Sequence, residues 1–215
     1  MWRRDVPDVS ADWYRDIAGA GAGSPELVQA VGAFATEAII GVLAVMFLVL
    51  WWRARRQNNS RMALAIVAPA VAVVAYLTSE LLKNIWQEDR PCRALGQVAT
   101  VVACPEYGDW SFPSNHATIA GAAAVGLLLV NRAVGIVGVG LAILAALSRV
   151  FVGVHYPHDV LAGLVLGAGI AMVARPLARL TTPVVARVRT WPVGALLLGA
   201  VAHDAATIVL PRARR

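Results

Sequence analysis

The stretch Ser148-Arg149-Val150-Phe151-Val152-Gly153-Val154-His155-Tyr156-Pro157-His158-Asp159 lies between two apolar runs. A chain that only crosses a membrane and returns needs no more than a short neutral turn at such a junction. Here six polar or ionisable side chains gather instead: Ser148, Arg149, His155, Tyr156, His158 and Asp159. The apolar flanks therefore read as membrane helices, and the polar junction as the place where they hold a site.

Composition agrees with that reading. Of 215 residues, 59% are hydrophobic and only 15% charged, which a soluble domain of this length rarely shows. The expected class is one integral membrane domain over residues 1–215. The net charge of +6 is not gathered on one face, as a nucleic-acid binder requires, but falls in short arginine-rich segments between apolar runs. That pattern is one of membrane topology, with no nucleic acid as partner.

Outward from the junction, apolar runs predict spans at about 34–52, 62–82 (interrupted by Pro69), 116–130, 133–147, 159–174 and 192–210. The expected fold is all-α: a polytopic bundle over 34–210 with about six transmembrane helices, five plus a peripheral helix being the alternative. Residues 1–30 mix Asp5, Asp8, Asp12 and Asp16 with Trp2, Trp13 and Tyr14. They read as a surface-lying interfacial helix or a frayed terminus, too polar for a cleavable signal peptide. The last run carries His203 and Asp204, whose role is left open between helix packing, a broken terminal span and a buried relay.

Arginine counting sets an orientation. Turns 53–61 and 175–191 hold four arginines each and Arg132 sits in the tight turn between spans three and four. With these on the cytoplasmic side, loops 83–116 and 148–159 face outward together. Cys92 and Cys104 both fall in the first of these loops, where a disulfide forms if their geometry allows. Neither has the closely spaced partners of a zinc site.

The two outward loops carry the chemistry. Lys83, the only lysine among 19 basic side chains, lies seven residues before Arg90. If the helix continues, the two share one face, and Pro91 then stops it. Ser114-Asn115-His116 falls at the start of an apolar helix, where free backbone N–H groups favour a phosphate. His155 and Asp159 are four apart, so the carboxylate can orient the imidazole and leave its other nitrogen free to attack. Arg149 adds a third cation, and His158 reads as interfacial or as a neighbour of the site. Each piece has an ordinary reading alone: Lys83 and Arg90 as snorkelling anchors, Ser114 as an N-cap, His116 as a structural histidine.

Together the pattern K-x6-R-P, then P-S-N-H, then S-R-x5-H-x3-D resembles the three-part signature of the type 2 phosphatidic acid phosphatase family, over roughly residues 60–175. The resemblance implies that Lys83, Arg90, Ser114 and Arg149 bind phosphate, with the Asn115 amide also able to touch substrate. It further implies that His155 attacks phosphorus to form a phosphohistidine, that His116 protonates the leaving group, and that Asp159 orients His155. It implies neither cofactor nor metal. Asn115 stands where the family usually has Gly, a polar replacement also seen in its polyprenyl diphosphate phosphatases. The expected substrate is therefore a membrane lipid phosphate, first a polyprenyl diphosphate and next phosphatidic acid or phosphatidylglycerol phosphate. A lipid-linked phosphotransferase, a haloperoxidase and a non-catalytic lipid binder or transporter are the rivals, and oligomeric state is left open.

Overall fold

The computed structural model describes residues 6–96 and 98–200. Its elements among these residues are all helical: α1 (Asp8–Ala22), α2 (Glu26–Ala54), α3 (Asn59–Trp86), α4 (Pro91–Ala94), α5 (Asn115–Val130), α6 (Arg132–Phe151), α7 (Pro157–Ala171), α8 (Ala174–Val188) and α9 (Pro192–Leu198). Four segments are long and apolar enough to cross a bilayer: 26–54, 59–94, 132–151 and 157–188; α5 is a shorter apolar helix. Large apolar side chains face outward, among them Val45, Leu48 and Trp52 on α2, Leu77 and Leu81 on α3, and Ile143 and Leu147 on α6. In water such faces would drive aggregation; in lipid they are the solvated surface. The chain is a multi-pass membrane protein with an all-α fold.

Small residues set the interior. Ala63, Ala68, Ala120, Ala123, Ala145 and Ala174 are buried together with Leu43, Phe47, Met62 and Leu127. The central helix α5 packs against α7, α6 and α3. Its contact with α7 is very close, because α7 turns Gly163 and Gly167 towards it. A Cβ on Gly163 would lie 2.6 Å from the Ser114 carbonyl oxygen, and one on Gly167 would collide with that of Thr118. Small residues four apart are how membrane helices bring backbones together. Here they bring the start of α5 onto the start of α7, and the Ser114 N–H donates to the Asp159 carbonyl at 3.1 Å.

Several expected boundaries move. Helix α2 begins at Glu26 rather than near residue 34, and Pro69 does not interrupt α3. Neighbouring helices and an apolar surround let a membrane helix run through a proline. Helix α3 does not continue to Arg90. It stops at Trp86 because Gln87 adopts the left-handed conformation (φ 48°, ψ 42°) and its N–H closes on the Lys83 carbonyl. Pro91 accordingly opens the short α4 at its first position instead of ending a helix. The basic stretch 175–191 is mostly the helix α8, with Leu177, Leu180 and Val184 exposed beside its arginines. Of the predicted last span, α9 covers Pro192–Leu198, and His203 and Asp204 lie outside the described residues.

Candidate active site

Four helix ends and one loop converge on His155. The α6 end supplies Arg149, the α7 start supplies Asp159, the α5 start supplies Ser114, Asn115 and His116, and the α3 end with its following loop supplies Lys83 and Arg90. Lys83, Arg90, Ser114, Arg149, His155 and Asp159 are all buried.

His155 is gripped from both sides. Its Nδ1 lies 3.3 Å from Asp159 Oδ2, and its Nε2 lies 3.1 Å from Arg90 Nη1. A guanidinium only donates, so Nε2 must be the unprotonated nitrogen and Nδ1–H the donor to Asp159. Asp159 Oδ2 is itself fixed by the Tyr156 N–H at 2.8 Å and by the Ser111 hydroxyl. Burial, with the charges of Arg90, Arg149 and Lys83, holds the His155 imidazole well below its ordinary pKa. The result is a neutral imidazole with one lone pair directed at a group of cations.

Those cations already hold an anion of the chain. Asp109 Oδ1 lies 2.8 Å from Arg90 Nη2 and 3.0 Å from Lys83 Nζ. Arg90 also donates through Nε to the Asp109 carbonyl and through Nη1 to that of Val154. Burial alone would raise the Asp109 carboxyl, but hydrogen bonds from Lys83 and Arg90 outweigh it and hold it below the ordinary value. The loop bearing Asp109 is tied down by a Cys92–Cys104 disulfide. On the opposite side Glu37 of α2 reaches His116 Nε2 at 2.9 Å and Arg149 Nη1 at 3.6 Å, while Arg149 also donates to the Thr36 hydroxyl at 3.2 Å.

Ser114 sits at the N-cap of α5 yet its side chain caps nothing; Oγ is buried with no hydrogen-bond partner. Such a hydroxyl is costly unless something binds it. The Asn115 amide is engaged inside the bundle, accepting from Ser79 at 2.7 Å and donating to Glu80. The site residues read from the sequence are thus brought together at this cluster, except that the Asn115 amide is turned to Ser79 and Glu80 instead of towards His155. Asp109, Ser111, Glu37 and Glu80 went unread, as did the contribution of α1, whose Tyr14 hydroxyl donates to the Gly153 carbonyl at 2.9 Å and whose Ser10 contacts His158 Nδ1 at 2.7 Å. A carboxylate in a polar loop carries no local mark of the cation it will meet.

The chain is similar to several known proteins. The undecaprenyl-diphosphatase of Sulfolobus acidocaldarius is 38% identical over 103 residues, 47% of this chain and 49% of that protein, so the match spans about half the relative's length. Undecaprenyl-diphosphatase BcrC of Bacillus subtilis is 31% identical over 140 residues, 65% of this chain and 69% of the relative. The crystal structure of a transmembrane PAP2-type phosphatidylglycerolphosphate phosphatase from Bacillus subtilis superposes with a TM-score of 0.60 at 20% identity, covering 81% of this chain and 88% of that one, a likeness of fold. The model of the PAP2 superfamily matches residues 62–182, which include all three motifs around His155, and the chain belongs to that superfamily.

Proposed function

We propose that this protein is a membrane lipid phosphatase that works through a phosphohistidine on His155, with a polyprenyl diphosphate as preferred substrate and the site on the extracytoplasmic face. The observation that carries the reading is the His155 geometry: a buried imidazole with Nδ1 on Asp159 and the Nε2 lone pair facing Arg90. The substrate phosphate displaces Asp109 from Lys83 and Arg90, and its oxygens take up those cations together with Arg149 and the Ser114 hydroxyl. Nε2 attacks phosphorus while the bond from phosphorus to the leaving oxygen breaks, and His116 donates its proton to that oxygen. Asp159 stabilises the positive charge that appears on His155. Water then attacks the phosphohistidine, His116 takes its proton, the P–N bond breaks and inorganic phosphate leaves. No step requires a metal, in keeping with what the family resemblance implies.

A lipid tail has a place to lie. A groove of about 590 Å³ between α2 and α3, floored by α5, is lined by Ile40, Phe47, Trp51, Ile66, Ile119 and Ala123. Its upper members Ile40 and Ile119 are one helical turn from Glu37 and His116. The polyprenyl preference leans on the two undecaprenyl-diphosphatase relatives and on Asn115, and the outward orientation on the arginine-rich turns.

The test is phosphate release by purified protein in detergent with EDTA present. The panel holds a polyprenyl diphosphate, phosphatidic acid, phosphatidylglycerol phosphate and a soluble phosphomonoester. Preference for the diphosphate is expected, with His155→Ala losing at least about a thousandfold and His116→Ala about 10²–10⁴-fold. Release confined to the glycerolipids would overturn the substrate assignment, and near-full turnover by a folded His155→Ala would overturn the mechanism.

A further inference from the structure

Behind Asp159, on the side away from His155, lie Glu88 and His158. The three donors that reach the Asp159 carboxylate (the Tyr156 N–H, the Ser111 hydroxyl and His155 Nδ1) all converge on Oδ2. Oδ1 is buried and takes no hydrogen bond. It points at His158 Nε2, 3.2 Å away, and His158 Nε2 in turn lies 3.0 Å from Glu88 Oε1. All three ligand-type atoms fall within 4.8 Å of one another. Ligands about 2.0–2.1 Å from a tetrahedral ion stand roughly 3.3 Å apart, close to the two separations seen here.

The surroundings are those of a ligating histidine. Its other nitrogen, Nδ1, is 2.7 Å from the Ser10 hydroxyl, which fixes the ring with Nε2 turned to both carboxylates; without an ion Nε2 hydrogen-bonds to Glu88, and an ion would take the place of that proton. The ring is held between Tyr156 and Phe112, with centroids 5.3 and 5.9 Å away. The His158 side chain is a quarter exposed, so the cluster can be reached from solvent. One imidazole and two carboxylates make a borderline donor set that suits zinc.

We infer that Glu88, His158 and Asp159 form a divalent-cation site of the zinc class, and that occupancy of this site inhibits the enzyme. An ion on Oδ1 withdraws charge from the carboxylate that orients His155, so Nε2 becomes a poorer nucleophile while the phosphate-binding cations are untouched. The inhibition rests on the phosphatase reading above; the binding does not.

The test uses the full chain in detergent. Cobalt(II), added as a spectroscopic stand-in for zinc, should give the visible absorption of a tetrahedral ion at one equivalent. The band should disappear in His158→Gln and Glu88→Gln, and Ser10→Ala should weaken binding by about tenfold. Titration with buffered zinc should lower kcat without changing KM. His158→Gln and Glu88→Gln should keep basal turnover and need at least about ten times more zinc for half inhibition. No cobalt band, or a band equal in wild type and all three variants, would overturn the site whether or not the protein hydrolyses any lipid. A band that behaves as described beside zinc-insensitive turnover would overturn the inhibitory role.

Discussion

Asp109 decides how the resting site is read. Its carboxylate bridges Lys83 and Arg90 as a phosphate oxygen would, and Arg90 meanwhile covers the His155 lone pair. Substrate must replace this internal anion, so Asp109→Asn should bind vanadate or inorganic phosphate about tenfold more tightly, checked by competitive inhibition. Without ligand, the same variant leaves two buried cations facing each other and should unfold more easily. The sign of its pH dependence follows from the lowered Asp109 pKa. The contribution of Asp109 to stability is complete above the ordinary carboxylate value of 3.8 and is lost as pH falls through the depressed folded value. The stability gap between wild type and Asp109→Asn should therefore be constant near neutrality and close in acid, read by unfolding in detergent at several pH values. Lys83, Arg90, Arg149, His155 and Asp159 were legible in the sequence because charged groups at the ends of apolar runs are rare and costly. Asp109 was not, since the cations it meets stand 26 and 19 residues away and nothing local marks it.

At the scale of elements, the site depends on how closely α5 and α7 approach. The side-chain cluster exists because Gly163 and Gly167 let the start of α5 sit on the start of α7, and the Ser114 N–H bond to Asp159 records that register. Gly167→Leu should force the helices apart at a cost of about 1–3 kcal/mol or more. Turnover should fall further than stability does, since His116 rides on α5 and His155 lies in the loop that leads into α7; a circular-dichroism melt beside a kcat measurement checks this. The sequence showed these helices as apolar runs, but hydropathy has no phase that tells which face meets which neighbour. The end of α3 is hidden for a related reason. Lys83 and Arg90 would share one face only if the helix continued, whereas a left-handed Gln87 ends it and Asp109 reunites the two cations from the loop. Only tertiary contacts make a left-handed glutamine affordable.

For the whole molecule, the class of fold was readable from composition because a bilayer imposes so strong a constraint on length and polarity. The basic stretch after α7 is less so: its arginines suggest a turn, yet they alternate with apolar residues along the helix α8. The orientation that places loops 83–116 and 148–159 outside predicts that a membrane-impermeant maleimide on intact cells labels Tyr107→Cys but not Arg132→Cys; the reverse pattern would invert the topology. The central claim concerns a covalent bond, and rapid quenching with terminally 32P-labelled polyprenyl diphosphate tests it most directly. The account predicts label on the protein that is stable in base, labile in acid, maps to His155 and is absent from His155→Ala. Turnover without any such label, or label that persists in His155→Ala, would contradict it.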